Sequence, residues 1–251
     1  IFSPPFSSLY TYSDNIRDMG NCDSDEEFFR NYRYLLAKLF KKIRPGRLVA
    51  VHTKDLPMYK SKHGASGFRD FTGENLKLME DVGFVYHSKI TIWTDPVFER
   101  ARTNTQRLLY KQVKNDSSLS GVGTPEYLTI FRKWENIDSD LYKPVDWKLD
   151  GFDLDTWQKW ASPVWFDIHR IDVLNPNPAR CPEDEKHLAP LQLGVIERAV
   201  AMWTNPNEIV LSPFMGVGSE VYSPVSMGRK AIGIELKDSY YKQAVLNLKQ
   251  A

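Results

Sequence analysis

The chain has 251 residues, 42% of them hydrophobic, and 33 Lys and Arg against 32 Asp and Glu leave a net charge of +1. That length predicts one substantial core with room for a small appended subdomain, and the balanced charge lacks the overall basic excess of a generic nucleic-acid binder. No apolar run approaches the ~18 residues of a membrane span, no signal peptide opens the chain, and Cys22 and Cys181 are too few for a disulfide framework or a four-thiolate zinc site, so a soluble protein of a reducing cytoplasm is expected.

The chain opens on Ile1-Phe2, read as the end of a strand whose earlier part lies upstream, and runs directly into Ser3-Pro4-Pro5-Phe6. Apolar residues at Phe28, Phe29, Tyr32, Leu35, Leu36, Leu39 and Phe40 recur at helical spacing behind Asp23, Ser24 and Asp25. They predict a helix over Asp25–Ile43, stopped by Arg44-Pro45-Gly46. A buried strand follows over Arg47–His52, then a helix over Gly67–Asp81 and, after Gly83, a strand over Phe84–Trp93. The stretch from Asp116 to Pro125 is rich in turn residues and precedes a strand over Tyr127–Phe131. Arg100, Arg102, Arg107, Lys111 and Lys114 form a run able to meet DNA phosphates, although an isolated run of this kind is more often a solvated helix face.

From Trp134 to Pro182 the character changes. Five of the seven tryptophans fall here (Trp134, Trp147, Trp157, Trp160, Trp165), and Asn175-Pro176-Asn177-Pro178 reads as an extended linker. The expectation is a target-recognition insertion over residues 134–182, most of its tryptophans forming a core and some free to stack on bases. It divides a catalytic part, residues 1–133, from a cofactor-binding part of the same domain, residues 183–251. That last part returns to a regular pattern: a helix over Leu191–Trp203, a strand over Glu208–Leu211, and the turn Ser212-Pro213-Phe214-Met215-Gly216-Val217-Gly218-Ser219. A helix ending at Met227-Gly228, a strand over Ala231–Ile234 closed by Glu235, and a helix over Ser239–Leu248 complete it. Alternating helices and strands place the chain in the α/β class.

Two loops carry chemistry. In a strand-turn-helix-strand unit, glycines let the backbone approach a ligand, the helix N-terminus offers free N–H groups, and an acid ending the second strand accepts from ribose hydroxyls. Glu235 lies 19 residues after Gly216, near the spacing of a dinucleotide site. Only two glycines stand in Gly-Val-Gly-Ser, which disfavours a nicotinamide site, and the absence of a following Gly-Lys-Ser/Thr disfavours a phosphate loop. An adenosine-type ligand is the reading that fits, with a plain structural turn as the alternative.

The first loop suits a different task. The exocyclic amino nitrogen of cytosine or adenine is a poor nucleophile because its lone pair is delocalised into the ring. Ser3 Oγ and the Pro4 carbonyl can accept its two hydrogens and so aim the lone pair, the double proline fixes that carbonyl, and Phe6 can stack on the base. The base must first leave the duplex. Taken alone, the same four residues also suit a loop that merely ends a strand.

In combination, SPPF, the SPFMGVGS turn and the segment AIGIELKDSYY resemble the amino-directed DNA methyltransferases that use S-adenosylmethionine, in the permuted β-type order with the catalytic loop first. PGRLVAV from Pro45 and KHLAPL from Lys186 are similar to further segments of that family, and SPPFSSLYTYS with SPFMGVGSE is similar to prophage-type solitary modification methylases. The resemblance implies a Rossmann-like methyltransferase fold with permuted motifs and a small recognition insertion. It implies Ser3, Pro4, Pro5 and Phe6 as catalytic residues, with Pro213, Phe214, Met215, Gly216, Gly218, Ser219, Glu235 and His187 around S-adenosylmethionine. Double-stranded DNA is the implied partner, and relatives of the permuted type often pair as homodimers. Ser in the first loop position is the more typical of N4-cytosine enzymes, with N6-adenine as the alternative. An RNA or protein-amide methyltransferase and a non-catalytic DNA-binding module remain as rivals. Two departures stand out: Ser212 where many relatives have Asp, and Pro224, which removes a backbone donor and predicts an irregular start or kink in its helix. His52, His63, His87 and His169 show no metal-ligand spacing and are read as ordinary residues.

Overall fold

The computed structural model describes residues 1–7, 12–103, 105–134, 144–146, 152–179 and 190–251. The first helix, α1 (Asp25–Lys42), starts at Ser24, whose hydroxyl accepts the Glu27 N–H at 3.2 Å, and its buried stripe is Phe28, Tyr32, Leu36 and Leu39. Strand β1 (Leu48–Lys54) runs two residues past the predicted end and leads into a small ribbon, β2 (Leu56–Met58), short helix α2 (Lys60–His63) and β3 (Gly67–Arg69). Gly67–Arg69 was expected to be helical; it pairs antiparallel with β2 instead. The helix begins later, as α3 (Phe71–Val82), because the Asp70 carboxylate caps the Gly73 N–H at 2.7 Å.

Strand β4 (Val85–Ile92), helices α4 (Pro96–Thr103) and α5 (Tyr110–Asn115), and strand β5 (Glu126–Arg132) follow. Within the segment read as an insertion, α6 (Leu154–Trp160) precedes β6 (Val164–Trp165), and β6 joins the main sheet parallel to β4 through Thr91↔Val164 and Ile92↔Trp165. Trp165 is 1% exposed inside the main core, so this part of the segment is continuous with the sheet. Trp134 and Trp157 are exposed, and Trp147 lies outside the described residues. The chain closes with α7 (Leu193–Trp203), β7 (Ile209–Ser212), α8 (Ser219–Ser226), β8 (Lys230–Gly233) and α9 (Asp238–Leu248). Pro224 falls in the last turn of α8, where it shortens the helix, and its carbonyl accepts the Arg229 N–H at 2.8 Å.

One sheet carries the order β1-β5-β4-β6 and a parallel pair is formed by β7 and β8. Ile1 and Phe2 join them: the Ile1 nitrogen donates to the Leu211 carbonyl at 3.1 Å, the Phe2 N–H to Ala50 at 3.1 Å, and the His52 N–H to Phe2 at 2.9 Å. Alternation along β1 sends Val49 and Val51 into a core with α1 and α3, and Ala50 into a core with α7 on the other face. None of the helices among the described residues is long and apolar enough to cross a membrane.

Candidate active site

Ile1-Phe2 and β7 are neighbours, so the loops that leave them, Ser3 onward and Ser212 onward, emerge side by side. They line one open cleft of about 1070 Å³, shared by Ser3, Pro4, Pro5 and Phe6 with Pro213, Phe214, Met215, Gly216 and Glu235. That volume is at the top of the ~300–1,000 Å³ range of small-ligand sites. The cleft sits where β7 continues to β8 on one side and Phe2 to β1 on the other, the switch point at which open α/β sheets bind ligands.

On the glycine-turn side, the backbone obeys a conformational requirement. Gly216 has φ +53 with open space where a Cβ would be, and Gly218 has φ +101 with a Cβ position 3.0 Å from Ala244 on α9. Gly233 allows Met215 to pack directly over its Cα. Glu235 closes the turn: its carboxylate accepts the Gly216 N–H at 2.9 Å and the Lys237 N–H at 2.8 Å, while burial pushes its pKa up. Gly218 packs against Ala244 and Ser219 is buried, and neither is among the residues lining the cleft. Ser212 is buried and its hydroxyl accepts the Phe214 N–H at 3.4 Å, so it holds the turn. His187 lies outside the described residues. Ile234, Leu236 and Tyr240 add apolar surface at this end.

On the other side, Ser3 leads into a buried polar array absent from the motif reading. Ser3 Oγ is 3.1 Å from His52 Nδ1, and His52 Nε2 is 3.2 Å from Glu126 Oε2, which also accepts from Gln192 Nε2 at 3.0 Å. Arg170 approaches Glu126 Oε1 at 3.4 Å, and Lys54 Nζ lies 3.4 Å from Glu99, whose Oε2 also accepts the Thr124 N–H at 2.9 Å. Burial alone would raise the Glu126 pKa; its hydrogen bond with His52 and the charges of Arg170 and Lys54 hold it well below the usual carboxylate range. Desolvation lowers the Lys54 pKa against the pull of Glu126 and Glu99. Phe6 leans on Phe71, ring centroids 6.0 Å apart, and presents its remaining surface to the cleft. His52, read from the sequence as ordinary, is therefore a site residue. The available signal was a polar residue interrupting an apolar strand just where its neighbour strand ends in SPPF.

The basic run is divided among several elements. Arg100 lies on α4, Arg107 stacks its guanidinium 4.8 Å over the Phe68 ring, and Lys111 and Lys114 are exposed on α5. The side chain of Arg102 lies outside the described part of the structure.

An open α/β sheet with a glycine turn and a second polar loop meeting at its switch point defines a Rossmann-like fold of the S-adenosylmethionine-dependent methyltransferase class. Within that class the chain belongs to the DNA methylase family of N6/N4 amino-methyltransferases, which it matches over residues 1–246. TTHA0409, a putative DNA modification methylase of Thermus thermophilus solved in complex with S-adenosyl-L-methionine, matches with a TM-score of 0.71 at 18% identity, over 100% of this chain and 84% of that one. PvuII DNA methyltransferase (cytosine-N4-specific) matches with a TM-score of 0.64 at 16% identity, over 98% and 77%. At these identities the two structures speak for the fold. The DNA adenine methyltransferase YhdJ of Escherichia coli (strain K12) is 32% identical over 91 residues, 36% of this chain and 29% of that protein. The chain spans 21–29% of the length of the curated relatives it matches.

Proposed function

We propose that the protein transfers a methyl group from S-adenosylmethionine to the exocyclic N4 amino group of a cytosine flipped out of double-stranded DNA. The observation that carries this reading is the shared cleft, in which an amino-group acceptor loop and a nucleoside-type turn stand on adjacent strand ends. The residues fit the cofactor. Each Glu235 oxygen accepts one backbone N–H and keeps a lone pair for a ribose hydroxyl, and the space over Gly216 is open. When bound, the cofactor supplies an electrophilic methyl group on a sulfonium. Ser3 Oγ and the Pro4 carbonyl accept the amino hydrogens of the base, and Phe6 supports its ring. The product nitrogen sheds its extra proton toward Ser3.

A second reading, N6-adenine methylation, is supported by the local similarity to YhdJ and by an acceptor pair that suits either amino group. Lys111 and Lys114 are proposed phosphate contacts, the segment over residues 134–182 a proposed recognition element, and a homodimer the assembly to test by light scattering.

The deciding experiment incubates the protein with S-adenosylmethionine and unmethylated duplex DNA, digests the DNA to nucleosides and identifies the product by mass spectrometry. N4-methylcytosine is expected; N6-methyladenine selects the second reading, and transfer to RNA or peptide in preference to DNA refutes both. Ser3→Ala should lower turnover by about 10²-fold or more with little change in cofactor affinity, as expected for an interaction used in the transition state.

A further inference from the structure

The array behind Ser3 has an order that assigns protons. Glu126 is 6% exposed and faces Arg170 and Lys54, so it is ionised and only accepts hydrogen bonds. His52 Nε2, 3.2 Å from its Oε2, must therefore carry a hydrogen. In the neutral imidazole this leaves Nδ1 as a lone pair, 3.1 Å from Ser3 Oγ. The Ser3 hydroxyl then spends its one hydrogen on His52 and keeps its oxygen lone pairs for donors from the cleft. The opposite tautomer would occupy one of those lone pairs and turn the hydroxyl hydrogen to the His52 carbonyl, a longer contact at 3.4 Å. Gln192 Nε2, donating to the same carboxylate oxygen at 3.0 Å, fixes Glu126 from the far side.

Building on the amino-group transfer proposed above, we propose that His52 is the positioning residue and proton acceptor of the reaction, acting through Ser3 and oriented by Glu126. The nitrogen lone pair of the base forms the bond to the methyl carbon as the carbon–sulfur bond breaks, its electron pair staying on sulfur. The cationic amino nitrogen passes a proton to Ser3 Oγ while the Ser3 proton passes to His52 Nδ1. The imidazolium is held by the Glu126 carboxylate and returns its proton to solvent once product leaves. The logic of the serine–histidine–acid triad is reused here, with the serine as a proton relay. The charged groups that face His52 and its partner are Glu126 on β5, Arg170 after β6, and Lys54 on β1 with its own partner Glu99 on α4.

Three readouts test this. Nitrogen-15 NMR of the imidazoles in the resting wild-type protein should show His52 protonated at Nε2 and bare at Nδ1. His52→Asn should lower kcat by about 10²-fold, the low end for a general base, while the dissociation constants for S-adenosylmethionine and DNA stay within about twofold. Glu126→Gln presents His52 with an amide that donates as well as accepts, so the same spectrum should lose the single form protonated at Nε2. A His52 protonated at Nδ1, an undiminished kcat in His52→Asn, or an unchanged Nε2-protonated form in Glu126→Gln overturns the relay. A wild-type protein that methylates no DNA refutes the proposed function instead, and the NMR signal then decides the Ser3–His52 arrangement by itself.

Discussion

Glu220 provides a test of the cleft's electrostatics that needs no substrate. It is the second residue of α8, 4% exposed, and lines the cleft beside the glycine turn. Loss of water raises its carboxyl pKa from 4.5 to about 8, opposed by its own backbone N–H and reinforced by Glu235. The folded protein therefore keeps a proton that the unfolded chain releases, and the sign follows: the contribution of Glu220 to stability is full below about pH 4.5 and is lost as pH rises toward about 8. At pH 7 the penalty is on the order of 3 kcal/mol. Glu220→Gln keeps the size and removes the ionisation. Its amide has an effect of its own, but that effect is the same at every pH, so the difference between two pH values isolates the carboxyl. Relative to wild type, the variant should gain about 3 kcal/mol more at pH 7 than at pH 4.5, or roughly 6–12 °C in Tm for a chain of this size. Urea and thermal unfolding of both proteins at the two pH values measure it. An increment independent of pH would refute a neutral, buried Glu220.

On the cofactor side, Glu235→Ala removes a charged acceptor and should weaken S-adenosylmethionine about 10- to 100-fold by calorimetry; an unchanged affinity would remove Glu235 from the ribose. Gly218→Ala places a side chain at φ +101 with its Cβ 3.0 Å from that of Ala244, and should destabilise the protein by about 2 kcal/mol in urea; a smaller loss would mean that α9 yields. The double change Lys111→Ala and Lys114→Ala should flatten the logarithmic salt dependence of DNA binding by about two, with no change in base preference. An unaltered slope would place the phosphates elsewhere.

The parts of this fold that were legible in the sequence are those in which a local rule repeats. The helical stripe from Phe28 to Phe40 and the start at Ser24 located α1, and the strands flanking the glycine turn were displaced by one residue or so. Gly67–Arg69 and Val164–Trp165 were missed because two or three residues cannot display a period. Trp165 looked like the core of an insertion and instead plugs the main core, since aromatic content does not reveal which core a residue joins. The glycine turn was readable for a different reason: Gly216 and Gly218 take positive φ, and Gly218 and Gly233 leave no room for a Cβ. The His52 array had no such mark. Glu126 lies 74 residues from His52 and 66 from Gln192, and each is ordinary on its own. Strand register assembles them: β1 pairs His52 with Leu128 and Lys54 with Glu126, which makes Glu126 the diagonal neighbour of His52 on the same face.

The same topology separates the tasks of the cleft. The bond from Ile1 to Leu211 makes neighbours of two segments 210 residues apart, so a permuted motif order leaves the spatial site intact. The glycine-turn side comes mostly from the last part of the chain, joined by residues near its start, where the Tyr12 carbonyl accepts from Lys237 Nζ at 3.0 Å. The wall facing it comes from the middle, with Lys54 on β1, Phe98 and Glu99 on α4, and Arg170 stacked 4.9 Å over the Phe98 ring. Under the proposed function, a base held by Ser3 and Phe6 shares the cleft with that middle-chain wall. Both amino groups that the first loop can accept look alike at the nitrogen; cytosine and adenine differ at the ring edge beyond it. Under the proposed function, the choice between the two bases therefore rests with Phe98, Arg170 and their neighbours, and substitutions there should alter the target base while leaving cofactor affinity in place.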